Sequence, residues 1–280
     1  MKFTKQEIIF NGAFAFMFAG LLVYMVRDSF VVEEVQRCSH RYLSSTEFSL
    51  DHGTGPLSSA QLVGTIGATQ RGVYNNAKVV RVRGVAGERA LKVTLRREDG
   101  DSNGIRFQWS PRSLEKTNSA CLSYSIYLPK KFEFAGGGFL PSLYTGMVSQ
   151  NGEPTVEDGA ITKRIVWRND GSGTVIVQQR DDETKGKYLD ANRFNLPTGR
   201  WVAIEHEMIL NAPGARDGVA RVWIDGKQVL SKDRVNWRKS DKLVIKGVQA
   251  DVGYDNPRRA VKRPTKDTSV YISPMLLRWQ

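Results

Sequence analysis

Trp201-Val202-Ala203-Ile204-Glu205-His206-Glu207-Met208-Ile209-Leu210 runs through Asn211-Ala212-Pro213-Gly214 to Val219-Ala220-Arg221-Val222-Trp223-Ile224, and then to Asp225-Gly226-Lys227. Val202, Ile204, Met208 and Leu210 recur at every second or fourth position, the period of a strand with one face in a core. His206 keeps that phase, so it is expected inside, hydrogen-bonded and neutral. Glu205 and Glu207 fall on the opposite face with Trp201, where solvation is expected. Asp225-Gly226 accepts the positive φ of a type I′ turn and closes a hairpin.

The same alternation spreads outward from this hairpin. Leu91, Val93 and Leu95 form one run, Ile105, Phe107 and Trp109 a second, and Leu122, Tyr124, Ile126 and Leu128 a third. Residues 161–167, 174–180, 243–252 and 269–277 continue it, and no helical period appears beyond residue 45. The chain is expected to be all-β, a sandwich with a large single core.

The N-terminus differs. Residues 8–26, which include Ile8, Phe14, Phe18, Leu22 and Val26, carry no charge and one amide, Asn11. As a helix they are about 28 Å long, enough to cross a bilayer core. No small-x-small cleavage site follows, so the segment reads as an uncleaved signal-anchor. Lys2 and Lys5 precede it, which favours a cytoplasmic N-terminus. The expected organisation is a single N-terminal transmembrane helix over 1–27, a connector over 28–45 and a β domain over 46–280. The protein is expected in the cytoplasmic (inner) membrane, with its C-terminal domain on the periplasmic or extracellular side.

Lys and Arg number 41 against 29 Asp and Glu, a net charge of +12 that suggests an anionic partner. The compartment disfavours nucleic acid and leaves acidic polysaccharide, lipid or a membrane protein complex. Cys38 and Cys121 would face an oxidising environment, and the sequence leaves open whether they form a disulfide or two buried thiols. With two cysteines and three histidines no metal site is expected. No Gly-rich phosphate loop lies between a strand and a helix, so no cofactor is expected.

Three stretches carry a family resemblance. Gly199-Arg200-Trp201 through Asn211-Ala212-Pro213-Gly214, Asp217-Gly218 and Val222-Trp223-Ile224-Asp225-Gly226-Lys227 is the first; Ala120–Pro129 with Gly136-Gly137-Gly138-Phe139-Leu140-Pro141 is the second; Arg164-Ile165-Val166-Trp167-Arg168 with Gly171 is the third. Together they resemble the alginate and glucuronan polysaccharide lyases with a concanavalin-like β-jelly-roll fold. The resemblance implies a curved sandwich that grips a uronic-acid polymer. It implies β-elimination in which a Tyr, His or Lys removes the C5 proton while a cation or amide steadies the carboxylate. Residue by residue, the family's Ser-x-Arg falls on Thr162-Lys163-Arg164. Its loop lysine falls on the Gly138-Phe139 position, and its Tyr-x-Tyr on Ile176-Val177-Gln178, so these groups are absent.

Strand alternation independently places Arg106 and Gln108, then Thr162, Arg164 and Arg168, then Gln178 and Arg180, away from the core. If those strands are neighbours, they form a basic glycan-binding groove, since arginine forks suit carboxylates and glutamines suit sugar hydroxyls. The sequence therefore favours a membrane-anchored, non-catalytic lyase-like module that binds an anionic glycan or serves as an accessory subunit. The alternative is an active lyase with Tyr127 or Tyr144 as base and Arg164 as carboxylate clamp. A structural reading also stands, in which Gly12, Ala13, Ala15, Ala19 and Gly20 let the anchor pack against other helices. Two further basic clusters, around Arg234–Lys246 and Arg258–Lys266, read as solvated loops or as contacts to lipid phosphates or an acidic partner.

Overall fold

A computed structural model describes residues 36–51, 53–57, 70–97, 103–114, 117–146, 161–179, 187–189, 193–255 and 263–280. The expected anchor, with Ile8, Phe14, Phe18, Leu22 and Val26, lies outside the described residues. Among the described residues no helix is long and apolar enough to cross a membrane.

Two antiparallel sheets pack face to face as an all-β sandwich. In the first, Lys227–Val235, Gly218–Ile224, Trp201–Ile209, Ser119–Tyr127, Thr268–Ile272, Arg89–Leu95, Ala77–Arg81 and Gly55–Pro56 lie in that order. Met275–Trp279 joins Ser119–Tyr127 and carries Ser44–Phe48 on its other side. In the second, the order is Lys187–Tyr188, Ser172–Gln179, Ile161–Trp167, Gly138–Phe139, Ile245–Tyr254, Ile105–Trp109 and Gln70–Arg71, with Ser142–Thr145 also between Ile161–Trp167 and Ile245–Tyr254. Alternation builds the core as expected: Leu122, Ile126, Val202, Ile204 and Met208 from the first sheet meet Phe107, Ile161, Ile165, Trp167, Val248 and Val252 from the second. The Asp225-Gly226 turn has φ of 51° and 80°, and Ile224 pairs directly with Lys227 across it.

Asn211 explains the turn that follows the opening strand. It is fully buried; its Oδ1 accepts from the backbone of Trp237 and Arg238, and its Nδ2 donates to the carbonyl of Arg238. Arg238 in turn donates to the carbonyls of Asn211 and Leu243. This arginine therefore belongs to a buried knot and not to a solvated basic loop.

The two glutamates also differ from the sequence reading. Glu205 and Glu207 are buried, because Arg37–Tyr42 folds back across the outer face of the first sheet. Cys38 and Cys121 form a disulfide that fastens this segment, and Trp223 packs beside it. Glu207 accepts from Arg41 at 2.7 Å, from Tyr42 at 2.8 Å and from Arg221 at 3.0 Å. The covering residues lie about 165 positions away in sequence, so strand alternation alone could not reveal them. His206 is in the core as expected, edge-on to Tyr124, but neither ring nitrogen has a partner among the described residues. Burial and the Lys163 charge hold its pKa well below the usual imidazole range.

Lys163 is a second buried charge. It keeps the core phase with Ile161 and Ile165, is fully buried, and donates to the carbonyls of Glu207 and Arg221 on the opposite sheet. Desolvation pulls its pKa from 10.5 to about 7, partly opposed by the Glu207 charge.

Two predictions follow from this packing. The disulfide closes a sequence separation of 83 residues, so Cys38→Ser should lower unfolding stability by about 2–5 kcal/mol, read by urea denaturation without reductant. For Lys163, the folded chain gives up its proton near pH 7 while the unfolded chain keeps it to 10.5. Stability should thus rise with pH across that window, at most by about 1.4 kcal/mol per unit, and the rise should vanish in Lys163→Met. Parallel pH profiles of the two proteins would exclude this account.

Candidate glycan-binding face

Among the described residues, the outer face of the second sheet carries Arg106, Gln108, Thr162 and Arg164 of those expected to bind glycan. On Ile161–Trp167 the core takes Ile161, Lys163, Ile165 and Trp167, which turns Thr162, Arg164 and Val166 outward. Across the ladder, Thr162 stands opposite Tyr144 on one side and Gln178 on the other, and Arg164 stands opposite Ile176. Val166 stands opposite Phe139, which is itself opposite Gly253. Gly138 has to be glycine: a Cβ there would sit 2.0 Å from the Trp167 ring.

The expected groove is assembled differently from the simplest reading. Ile161–Trp167 and Ser172–Gln179 are neighbours, but Gly138–Phe139, Ser142–Thr145 and Ile245–Tyr254 separate them from Ile105–Trp109. Ile245–Tyr254 brings in Gln249, opposite Gln108, and Asp251, opposite Arg106. Asp251 is the residue the sequence reading missed. Its Oδ2 accepts from Arg164 Nη1 at 3.0 Å, and from Arg106 Nε at 3.1 Å and Nη2 at 3.0 Å. An acidic residue on the outward phase of a strand beside one arginine-bearing strand, and one short strand away from the other, was the available signal, but it needed the strand order.

This carboxylate makes a buried ion pair. The side chains of Arg164 and Asp251 are 3% and 4% exposed, whereas Arg106 is 24% exposed. The guanidinium carbon of Arg164 also lies 4.8 Å from the centre of the Phe139 ring, a cation–π contact that covers it. Arg164 is therefore a held cation and not the solvated groove arginine that alternation suggests. Arg168 and Gln108 are half-buried. Thr162 and Gln249 are buried, and the hydroxyl of Thr162 and Oε1 of Gln249 have no partner among the described residues.

The two tyrosines proposed as bases are not equivalent. Tyr144 shares this face, but it is buried, its hydroxyl is bonded to that of Ser110, and burial raises its pKa against that hydrogen bond. Tyr127 lies in the other sheet, against the rings of Trp201 and Tyr271, so the fold does not bring it to Arg164. Arg180 lies outside the described residues, as do Arg258, Arg259 and Lys262. The ladder sets Tyr188 opposite Ile176, two strands from Arg164. Among the described residues, Cys38, Cys121 and Glu205 alone are close enough to share a metal ion, and the two sulfurs are bonded to each other.

Residues 85–271 match the model of a family described as polysaccharide lyase 14. Among solved structures, the fold is similar to a marine alginate lyase from Aplysia kurodai, with 18% identity, a TM-score of 0.68, and coverage of 85% of this chain and 99% of that one. It is also similar to the alginate lyase vAL-1 from Chlorella virus, at 20% identity and TM-score 0.62, covering 82% of this chain and 99% of that one. An endo-β-1,4-glucuronan lyase from the fungus Trichoderma reesei aligns at 11% identity and TM-score 0.54, covering 85% of this chain and 96% of that one. No curated protein sequence matches the chain.

The ion-pair geometry makes a direct prediction. Asp251→Ala leaves the Arg164 guanidinium buried without its carboxylate and should destabilise the fold by about 3–5 kcal/mol in urea unfolding. A loss below 1 kcal/mol would mean that the pair contributes little to holding this face.

Proposed function

The chain belongs to the polysaccharide lyase 14 family, and on that premise we propose that it holds a uronic-acid polymer on the outer face of its second sheet without cleaving it. In this reading residues 8–26 anchor it in the cytoplasmic membrane, and the sandwich works outside the cytoplasm as a glycan-binding or accessory module of a membrane complex. The partner class is an anionic polysaccharide such as alginate or glucuronan, the polymers named for the structurally similar lyases.

The observation that carries the reading is the surroundings of Arg164. β-Elimination needs a base at the C5 proton and a cation available to the carboxylate as negative charge develops. Here the cation is already committed to Asp251 and covered by Phe139. Phe139, Val166 and Ile176 fill the register positions beside it and transfer no proton, while Asp255, whose carboxyl burial raises above its usual range, also feels its charge. Tyr144 is buried with its hydroxyl engaged. The half-buried side chains of Arg106, Arg168 and Gln108 have the chemistry that suits carboxylates and hydroxyls.

One observation favours an active lyase instead. Tyr188 holds a register position beside Ile176, next to the strand where the resemblance places the family's tyrosines. In that reading Arg164 would remain the carboxylate clamp, and Tyr188 or Tyr144 would be the base.

The test uses the full chain purified from membranes in mild detergent, incubated with alginate and with glucuronan. We expect retention of polymer and no unsaturated, ultraviolet-absorbing product. Product formation that disappears in both Arg164→Ala and Tyr188→Phe would replace the binding reading with the catalytic one.

A further inference from the structure

The outer face of the first sheet carries a feature that polymer binding on the second does not use. Trp201 stands directly opposite Tyr127, Tyr127 opposite Tyr271, Tyr271 opposite Lys92 and Lys92 opposite Lys78, so one row crosses five strands. Neighbouring strands lie about 4.8 Å apart, which makes the row about 19 Å long. Val202, Ile126, Ile272, Leu91 and Val79, the next residues along the same strands, face the core and turn the row away from it. The Arg37–Tyr42 segment covers this sheet at Glu205 and Glu207, about 13 Å or more along the strand from Trp201.

The rings touch one another. The centroids of Trp201 and Tyr127 are 5.6 Å apart and those of Tyr127 and Tyr271 5.8 Å, and the Lys92 amine lies 5.9 Å from the centre of the Tyr271 ring. The three aromatic side chains and Lys92 are half-buried, and Lys78 is exposed. Trp201 is held in place. Its Nε1 donates to the carbonyl of Arg83 at 2.8 Å, and a Cβ on Gly84 would lie 3.1 Å from Cδ1 of the indole. Ala203, Ser125, Ser269 and Thr94, the outward residues two positions along from the row, are short and leave room beside the rings.

Two chemistries thus run in line. Sugar rings present apolar C–H faces that pack on aromatic side chains, and uronate carboxylates pair with ammonium groups. Lys78 and Lys92 are like charges directly opposite each other, and neither is in an ion pair among the described residues. An anion bridging them relieves that repulsion. A bilayer surface also takes aromatic rings and lysines, but a helix or sheet face lying in it buries long aliphatic side chains, and here those places hold Ala203, Ser125, Ser269 and Thr94.

We propose that the row from Trp201 to Lys78 is a second polysaccharide-binding surface, which stacks sugar rings on its aromatic end and takes uronate carboxylates at its lysine end. It rests on the polymer-binding reading for the class of polymer and goes beyond it by adding a contact on the opposite sheet.

The experiment measures retention of two polymers by the detergent-purified full chain in affinity electrophoresis. One is a polyuronate; the other is the same polymer with its carboxyl groups reduced to primary alcohols. Trp201→Ala should weaken retention of both about fivefold, since stacking does not depend on the carboxylate, and Trp201→Phe should lose less. Lys78→Glu, at an exposed position, should weaken polyuronate retention at least about threefold and leave the reduced polymer unaffected. Unfolding midpoints of the variants separate lost binding from misfolding. If the wild-type chain retains the polyuronate and all three variants match it, the row is not a polymer site and the second-sheet reading survives. Retention of neither polymer by the wild-type chain overturns the reading and the assignment together. In vesicles of brominated lipid, fluorescence quenching that Trp201→Phe removes would seat the row on the bilayer and overturn the assignment alone.

Discussion

The Lys163 amine crosses the middle of the sandwich and ties its two sheets together. It leaves a strand of the second sheet and ends on the carbonyls of Glu207 and Arg221, which lie opposite each other in the first. Glu207 extends the connection: its carbonyl takes the amine on the core side, and its carboxylate takes Arg41, Tyr42 and Arg221 on the outer side. Thr162 and Arg164, the immediate neighbours of Lys163, face the other way onto the candidate glycan face. One strand thus connects the outward arginine, the core amine and the segment that folds over the back of the molecule.

Such an arrangement is expensive to bury and specific once made. An isolated ammonium in an apolar core is strongly disfavoured, so the amine stays there only with its carbonyl acceptors and a pKa near neutrality. His206 adds a second polar group nearby and stays neutral because both burial and the lysine oppose its protonation. Apolar residues in these two places would pack with less polar cost. What the buried lysine adds is register: slipping the Ile161–Trp167 strand by one residue against its neighbours would swing Lys163 out of the core and away from its carbonyl acceptors. The disulfide at Cys38 and Cys121 fixes the remaining freedom by pinning the covering segment to the same sheet.

Much of this was legible from alternation. The opening run placed Val202, Ile204, His206 and Met208 in the core, and the Asp225-Gly226 pair gave its hairpin, because both depend on local periodicity and turn chemistry. The phase of residues 161–167 turned Arg164 outward for the same reason. Facts that depend on strand order were not legible. Asp251 meets Arg106 and Arg164 only because Ile245–Tyr254 inserts beside Ile105–Trp109, and nothing in either segment announces that neighbour. Glu205 and Glu207 looked solvated because their cover comes from residues 37–42, far away along the chain. Lys163 shared the core phase of Ile161 and Ile165, yet a lysine in that phase reads as a surface residue until its acceptors are known.

The same contrast bears on how a lyase scaffold can lose or move its chemistry. An arginine that steadies a developing charge must face a solvent-accessible site and keep part of its field unspent. Phe139 and Ile176, at positions where the resemblance places a lysine and a tyrosine, surround Arg164 with apolar surface instead. In such surroundings a lone guanidinium is unfavourable, which makes a carboxylate such as Asp251 a structural requirement for the arginine. Once the pair forms, the arginine's charge serves the fold. Arg106 marks the limit of that burial: it shares Asp251 with the sealed arginine, yet its own side chain is 24% exposed.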